Sequence, residues 1–292
     1  MVSSAAAIIV SLAISAIPTQ DYRTFTTLEM PGSVAQYGTC PLGVDRTSIV
    51  GIYYTADSRS HGFLYNGSSW TSLDYPGAVE TCAYGVSGSR IIGTYVDASL
   101  QTHGFLYDGS AWRSLDVPGG EQTMAFGIDG ETIVGYYMQP NGYGASARGF
   151  VYDGSTYTML QNPAAAFSFA MDIEAGRILV HSAKDDGSTY NSLYDGTGWR
   201  DLAFPAGTAY GISGNQIVAS DLKHSYMLDG TDLTCLDVPG AQVTVVHGIS
   251  NGTVVGRYHT GGVVHGFVAT VPEPLSIVLL AVGGLLLGRR RT

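Results

Sequence analysis

Short apolar segments alternate with turn residues along most of the chain, from residue 22 to residue 270. One copy of the pattern runs through residues 84–93, 103–109 and 112–119, which is enough for four short strands. Pairs such as Asp129-Gly130 and Asn251-Gly252 supply the positive φ that two-residue hairpins need. Each copy is therefore predicted to be a four-stranded antiparallel meander of about 42 residues, the usual length of a propeller blade.

Each copy ends in a proline, and two apolar positions precede that proline at fixed distances. A leucine lies three residues before it, and a large apolar residue lies six residues before it. An odd separation places the two positions on opposite faces of a strand, so the last strand is predicted to be buried on both faces. The leucines are Leu28, Leu73, Leu115, Leu160, Leu202 and Leu236; the large residues are Phe25, Trp70, Trp112, Tyr157, Trp199 and Leu233.

The fragments at the two ends of the repeat region predict a ring. The region begins with a last strand alone, residues 22–30, and stops after a third strand, residues 265–270. Joined, these fragments complete a sixth blade and hide open sheet edges, which are an aggregation risk. We therefore predict an all-β fold, a six-bladed β-propeller over residues 18–270 that is closed by the N-terminal strand.

Both ends of the chain carry apolar segments outside the repeat. Residues 5–17 end in small residues ahead of Pro18, which is typical of a secretory signal; a disordered apolar terminus is the alternative. The apolar run over residues 275–288 is shorter than the roughly 20 residues of a comfortable bilayer span. We predict a signal peptide at residues 1–17 and a marginal transmembrane helix and anchor within residues 271–292.

The flanks of that second run resemble the PEP-CTERM sorting signal. The motif before the run is Val271, Pro272, Glu273 and Pro274, and the basic end after it is Arg289, Arg290 and Arg291. This resemblance implies an exported protein that is anchored at the inner membrane at first and then reaches the cell surface or the extracellular space. It also implies an exosortase-type membrane protein as a partner.

The repeats themselves resemble the HAF family of extracellular repeats. In that family a Gly-Ile or Gly-Val step and an Ile-Val-Gly step precede a His-Gly-Phe strand. Gly127-Ile128, Ile133-Val134-Gly135 and His103-Gly104-Phe105 match these features. The resemblance implies a secreted or surface repeat protein and assigns it no activity.

Charge and cysteine content narrow the choice of partners. The formal net charge is −10 at pH 7, which disfavours nucleic acid and anionic lipid surfaces. Three cysteines, Cys40, Cys82 and Cys235, are too few for a dense disulfide framework. Cys40 and Cys82 share one register in neighbouring copies and are interpreted as small core residues, with a bridge between them as the alternative.

A recurring histidine raises the question of a metal site. Its position in the third strand holds His61, His103, Arg148, Tyr190, His224 and His265 in successive copies. Zinc needs its ligands about 2.0–2.1 Å from one centre, whereas third strands of different blades lie far apart. We predict no metal site and a structural role, in which the side chain packs on the adjacent blade.

An acidic residue also recurs, just before the closing proline, as Glu29, Asp74, Asp116 and Asp237. Glycosidases place two carboxylates about 5–9.5 Å apart, but a whole blade separates these four. We predict that they cap the Pro-Gly turn through backbone N–H groups.

Loops that break the repeat are the predicted recognition surface, because irregular loops on a rigid ring usually carry binding residues. The linkers at residues 138–147 and 181–186 are expected on the same rim as the loops that follow each proline. The predicted ligand contacts are Glu121, Asn141, Tyr143, Asp185 and Asp186.

These features favour a non-enzymatic exported protein that binds matrix polysaccharide or another surface protein and uses no cofactor. The sequence contains no Ser-His-Asp order, phosphate loop or Cys-x-x-Cys motif. One alternative is a secreted propeller that hydrolyses or cleaves glycans. Its candidate groups are Asp172, which replaces a glycine of the other copies, and residues 184–186. A purely structural coat component is the third hypothesis.

Overall fold

In the computed structural model, six four-stranded antiparallel sheets stand around one axis. The structure describes residues 24–140, 145–204 and 207–271. Each sheet is a blade, and its first strand is innermost because it contacts the first strands of both neighbouring blades.

The first half of the described chain forms a single strand and three complete blades. Strand β1 is Thr24–Leu28. Blade 1 contains β2 (Thr39–Asp45), β3 (Ser48–Tyr54), β4 (Ser60–Tyr65) and β5 (Trp70–Leu73). Blade 2 contains β6 (Glu80–Ser87), β7 (Arg90–Val96), β8 (Thr102–Tyr107) and β9 (Trp112–Leu115). Blade 3 contains β10 (Glu121–Asp129), β11 (Thr132–Pro140), β12 (Ala145–Tyr152) and β13 (Tyr157–Leu160).

The second half forms two complete blades and most of a third. Blade 4 contains β14 (Phe167–Glu174), β15 (Arg177–Ala183), β16 (Thr189–Tyr194) and β17 (Trp199–Asp201). Blade 5 contains β18 (Thr208–Ser213), β19 (Gln216–Ser220), β20 (Ser225–Asp229) and β21 (Asp232–Cys235). Blade 6 contains β22 (Val243–Ser250), β23 (Thr253–Thr260), β24 (Val263–Thr270) and, as its fourth strand, β1, with Thr24 opposite Thr270 and Leu28 opposite Gly266.

The predicted fold class is wrong in its C-terminal part. The described residues form strands and turns only, with no α-helix among them, and none of their elements could cross a bilayer as a helix. The period-two alternation and glycine-rich turns continue through Thr270, which leaves no helical period in the part of the chain that the structure covers. Residues 1–17, Tyr22 and the apolar run at 275–288 lie outside the described residues.

A β-bulge occurs at the same place in the first strand of every blade. The extra residue of a bulge is left out of the ladder, which re-aims its side chain. The six bulge residues are Leu42, Tyr84, Phe126, Met171, Tyr210 and His247. All six are only partly buried and line a cavity on the axis, so they form a plug of large side chains.

The residue after each bulge is where neighbouring first strands come closest. It is glycine in five blades: Gly43, Gly85, Gly127, Gly211 and Gly248. A Cβ on Gly85 would lie 2.8 Å from the carbonyl oxygen of Phe126 in the next blade, and one on Gly127 would lie 2.6 Å from Cα of Asp172. The packing of the ring therefore excludes a side chain here between most pairs of blades.

Blade 4 has Asp172 at this position, and its carboxylate bridges two blades. Oδ1 accepts a hydrogen bond from N–H of Ile173 at 2.8 Å, and Oδ2 accepts one from N–H of Ile212 in blade 5 at 2.9 Å. Burial, with smaller contributions from the charges of Glu174 and Asp129, raises the pKa of Asp172 to about 7.

In blades 1 to 5, hydrogen bonds at the last residue of the first strand run in one direction around the ring. Asp129 Oδ2 accepts from N–H of Ala175 in blade 4 at 2.7 Å, and Glu174 Oε2 accepts from N–H of Gly214 in blade 5 at 2.6 Å. Asp45, Ser87 and Ser213 make the equivalent bonds to Gly88, Gly130 and Asn251. A side-chain oxygen thus fastens each of blades 1 to 5 to the blade that follows it.

The core lies between the faces of neighbouring blades, as stacked sheets require. The predicted leucine position is confirmed as buried in all six blades, at 9% exposure or less. The prediction that the fourth strand packs on both faces is confirmed in five blades, where the leucine packs in one interblade cluster and the large apolar residue packs against another. In blade 5 it is wrong, because Leu233 is 45% exposed. The residues between the two positions are also exposed in β1, β5 and β13. The fourth strand is the outer edge of its sheet, which explains the exposure.

Aromatic rings close the outer part of the core. The indole of Trp70 packs edge-on against Phe63, with ring centroids 5.1 Å apart, and Trp112 packs likewise against Phe105 at 5.0 Å. Trp199 packs against Tyr194 at 4.9 Å. All three tryptophans are therefore at the outer edges of blades 1, 2 and 4.

The cysteines agree with the core interpretation rather than with a bridge. Cys40 is buried and Cys82 is partly buried, and both thiols are free. Burial raises the pKa of each thiol, so neither is activated as a nucleophile.

A substitution can test the close approach at the axis. Gly85→Ala should lower the free energy of unfolding by about 2–3 kcal/mol, because the new Cβ meets backbone that cannot move aside. Gly198→Ala is the matched control, since nothing lies within 4 Å of a Cβ there. Urea unfolding of both variants measures the difference; equal stabilities would show that the blades can separate at no cost.

The stability of the protein should also depend on pH through Asp172. Between its ordinary pKa of 3.8 and the raised value of about 7, the unfolded chain loses this proton while the native protein keeps it. The contribution of this proton to the free energy of unfolding is therefore fully present below pH 4 and is lost as the pH rises to 7. Asp172→Gly lacks this titrating group. The free energy of unfolding of the variant minus that of the wild type should therefore increase by up to about 3 kcal/mol between pH 5 and pH 8, as measured by urea unfolding. If the difference in free energy of unfolding between the two proteins does not change with pH, the raised pKa of Asp172 is contradicted.

Candidate functional site

Two rims result from the antiparallel order of the strands. The loop rim carries the loops between second and third strands and the linkers that join one blade to the next. The turn rim carries the two other hairpins of each blade. The predicted contacts Glu121, Asp185 and Asp186 all lie on the loop rim, whereas Asn141 and Tyr143 lie outside the described residues.

Asp185 and Asp186 contribute to a shallow groove in the linker region of blade 4. The blade-4 groove is lined by residues 163–166 and by Lys184, Asp185 and Asp186. Lys184 Nζ lies 5.3 Å from the centroid of the Tyr190 ring, within range of a cation–π contact. Hydrogen bonds from the hydroxyl and N–H of Ser188 lower the pKa of Asp186, so this carboxylate is ionised and held in place.

Glu121 lies apart from this groove, in the first strand of blade 3. It is exposed and pairs with Met138 of β11 across the sheet. It is not among the residues that line the blade-4 groove. The structure therefore brings together two of the three described contacts that the sequence predicted.

A second feature of the loop rim was missed by sequence reasoning. In blades 1 and 2, the recurring histidine bonds to the recurring carboxylate of the same blade: His61 Nδ1 lies 2.8 Å from Asp74 Oδ1, and His103 Nδ1 lies 3.0 Å from Asp116 Oδ1. The second oxygen of each carboxylate accepts a hydrogen bond from Ser72 or Ser114 Oγ, at 2.8 and 2.7 Å.

A tyrosine completes each of these clusters. The ring of Tyr95 stacks on His103 with centroids 5.0 Å apart, and its hydroxyl donates to Ser114 Oγ at 3.1 Å. Blades 1 and 6 repeat the arrangement. The rim clusters are Tyr53, His61, Ser72 and Asp74 in blade 1; Tyr95, His103, Ser114 and Asp116 in blade 2; and Tyr258, His265, Thr27 and Glu29 in blade 6.

The same clusters occupy three neighbouring blades; a histidine–carboxylate pair continues the series in blade 5, and an aromatic stack joins blades 1 and 2. In blade 5, His224 Nδ1 lies 2.5 Å from Asp237 Oδ2. Between blades 1 and 2, Tyr75 stacks face to face on Tyr95, with centroids 3.7 Å apart and ring planes 2° apart. The carboxylates remain accessible, with side-chain exposures of 49% for Asp74 and Asp116 and 46% for Glu29.

These contacts correct two predictions. The carboxylates bond to histidine and hydroxyl groups, and the N–H groups that they were expected to cap are satisfied otherwise: Tyr75 N–H donates to Thr81 Oγ1 and Val117 N–H donates to Thr123 Oγ1, both at 3.0 Å. The histidines contact their own blade rather than the adjacent one, because the fourth strand is their direct neighbour in the sheet. Arg148 does reach the next blade, donating to the carbonyl of Ala166 at 2.8 Å.

Within the part of the chain that the structure covers, no three His, Cys, Asp or Glu side chains are arranged to hold a metal ion. The recurring histidines His61, His103, His224 and His265 each belong to a different blade.

The turn rim contains a different concave feature, the axial cup. Its floor is the plug of bulge residues, and its wall includes Asp45, Asp129, Asp172 and Glu174. The cavity volume is about 210 Å³. Sequence reasoning singled out Asp172 but did not place it beside other carboxylates, because their meeting depends on the closed ring.

No family model matches the chain, and no curated protein matches it. Solved structures do resemble it. A fungal lectin from Aleuria aurantia, described as a six-bladed β-propeller with a novel fucose recognition mode, shares 15% identity over 78% of this chain and 90% of its own, with a TM-score of 0.52. The β-propeller domain of the trilobed protease from Pyrococcus furiosus shares 10% identity over 80% and 95%, with a TM-score of 0.50. At such identities, these likenesses establish the six-bladed propeller fold.

Proposed function

We propose that the protein is a non-enzymatic carbohydrate-binding protein of the cell surface or extracellular matrix, and that it binds polysaccharide on the loop rim. The observation that carries this proposal is the repetition of the rim clusters in blades 6, 1 and 2. Each cluster presents a partly exposed histidine ring beside an exposed carboxylate and a hydroxyl group, while the tyrosine ring packs on the histidine and holds it in place.

Sugar binding uses these two kinds of group together. The C–H face of a pyranose ring is apolar and packs on an aromatic ring, while its hydroxyl groups need fixed acceptors and donors. Asp116 is held by both His103 and Ser114, so its orientation is set before a ligand arrives. Such preorganisation reduces the entropy that binding must offset.

Equivalent sites on neighbouring blades suit a polymer better than a single sugar. A polysaccharide repeats the same unit, so one chain can engage several weak sites at once, and the second contact forms at a high effective concentration. The blade-4 groove, with Asp185, Asp186 and Lys184, adds a contact elsewhere on the loop rim. The fold shared with a fucose-binding lectin supports the choice of carbohydrate as the ligand class.

Export and sorting form a further part of the proposal. The Pro-Glu-Pro motif at Pro272, Glu273 and Pro274 is proposed to be read by an exosortase-type membrane protein, which places the propeller outside the cell. A surface location agrees with a ligand in the surrounding matrix.

Glycan-array binding and titration calorimetry of the whole protein test the proposal. The triple variant Glu29→Gln, Asp74→Asn, Asp116→Asn should lose at least about tenfold in affinity for the polysaccharide found, equivalent to about 1.4 kcal/mol. Asp185→Asn with Asp186→Asn should weaken binding by a smaller factor. Asp232→Asn, an exposed carboxylate on the turn rim, is the matched control and should bind like the wild type.

Two results would contradict the proposal. Unchanged affinity in the triple variant, with an unchanged unfolding midpoint, would remove the rim clusters from binding. Turnover of chromogenic glycosides that is abolished by Asp172→Asn would identify a glycan-cleaving enzyme instead of a binding protein.

A further inference from the structure

The linker that leads into blade 1, residues 29–38, is longer than the other linkers. In five linkers, the N–H group just before the closing proline donates to a threonine or serine hydroxyl in the first strand of the next blade. Four of these hydrogen bonds join residues six positions apart, as from Tyr75 to Thr81, but the one from Met30 to Thr39 joins residues nine positions apart. The linker into blade 1 therefore departs from the repeat, and such loops on a rigid scaffold are where binding residues concentrate.

Hydrogen bonds to both neighbouring blades fix this linker. The N–H group of Val34 donates to the carbonyl of Tyr54 in blade 1 at 2.9 Å. The N–H group of Val264 in blade 6 donates to the carbonyl of Ala35 at 3.1 Å. A turn follows, in which the N–H group of Gly38 donates to the carbonyl of Val34 at 2.7 Å. The linker therefore has a defined conformation at the seam between blades 6 and 1.

The linker presents Tyr37 to solvent on the loop rim. Tyr37 is 44% exposed, and no other aromatic side chain of the described residues is as exposed. Its ring packs against that of Tyr54 with centroids 5.4 Å apart and ring planes 47° apart, so it is supported without being covered. The equivalent positions in the linkers into blades 2, 3, 4 and 6 are not aromatic: they are Val79, Glu121, Ala166 and Gln242.

Tyr37 is attached next to two of the rim clusters. Its ring partner Tyr54 directly follows Tyr53 of the blade-1 cluster, and Val264, which binds the linker, directly precedes His265 of the blade-6 cluster. The tyrosines of those clusters pack on histidine rings. Tyr37 therefore adds an exposed aromatic ring to a region that already carries fixed hydrogen-bonding groups.

The charge of this region favours an uncharged sugar. The carboxylates of Glu29 and Asp74 in the two flanking clusters are 46% and 49% exposed, and the whole chain has a formal net charge of −10. An anionic polysaccharide would be repelled by this field. A neutral pyranose ring can place its C–H face on an aromatic ring and donate its hydroxyl hydrogens to carboxylate oxygens.

We propose that Tyr37 is a stacking platform for a neutral pyranose ring of the bound polysaccharide, at the seam between blades 6 and 1. This inference rests on the proposed function and adds to it the charge class of the ligand and a residue that selects for the apolar face of a sugar ring. The hydrogen-bonded linker sets the position of Tyr37 before a ligand arrives, which reduces the entropy lost on binding.

Titration calorimetry of the full-length protein with hexasaccharides tests the platform. The wild type should bind at least one of cellohexaose, laminarihexaose and isomaltohexaose, and should bind a mannuronate hexasaccharide at least about tenfold more weakly. For the neutral hexasaccharide that binds best, Tyr37→Ala should lose at least about tenfold in affinity, whereas Tyr37→Phe should stay within about twofold of the wild type. Leu222→Ala is the matched control: it removes an exposed apolar side chain from the loop rim of blade 5 and should leave the affinity unchanged.

Three results would overturn the platform: no binding of any neutral hexasaccharide by the wild type, preference for the mannuronate hexasaccharide, or an equal loss in Tyr37→Phe and Tyr37→Ala, which would assign the effect to the hydroxyl group. If Tyr37→Ala has a lowered unfolding midpoint, Tyr37→Leu keeps an apolar contact with Tyr54 without the flat ring. The same loss of affinity in Tyr37→Leu would then support stacking, and affinity like that of the wild type would overturn it.

Failure of the platform and failure of the proposed function give different results. If the triple variant of Glu29, Asp74 and Asp116 loses the polysaccharide found on the array while Tyr37→Ala binds like the wild type, the platform is overturned and the proposed function stands. If the wild type binds no glycan at all, both are overturned.

Discussion

The close approach of six first strands at the axis governs the rest of the structure. Neighbouring backbones come so near at one position per blade that Gly85 and Gly127 leave no room for a Cβ. A bulge just before this position turns one large residue inward, so the contact that tightens the ring also fills its centre. This contact sets the distance between neighbouring blades and so the spacing of the loops on both rims. The candidate recognition surface on the loop rim is therefore held by a rigid ring.

Much of this architecture can be predicted from the sequence, because each blade is formed by residues that are close together in the chain. Hairpin turns such as Asp129-Gly130 and the buried leucine at or just after the end of each blade involve residues close together in the chain. Trp70 and Leu73 pack on opposite faces of their strand, as their spacing predicted. The exposure of the two residues between them was not foreseen, because the pattern cannot reveal which strand is the outer edge. The bulges also escaped notice, since one extra residue leaves the sequence pattern nearly unchanged.

The candidate site was predictable to a smaller extent. Asp185 and Asp186 were found from the irregularity of their loop, but Glu121 stands apart from their groove. The histidine–carboxylate pairs had an available signal: thirteen residues separate His61 from Asp74, His103 from Asp116 and His224 from Asp237. Considering each position alone hid that constant spacing. The axial cup had no such signal, because its members meet only through ring closure.

The location of the tryptophans has a consequence for how the molecule can be observed. Trp70, Trp112 and Trp199 all pack at the outer edges of their blades, and none lines the cavity on the axis. Intrinsic indole emission is thus a reporter of the periphery, in three of six sectors. A structural change confined to the cavity on the axis is therefore not expected to alter tryptophan fluorescence. Its detection requires tyrosine fluorescence or an introduced probe.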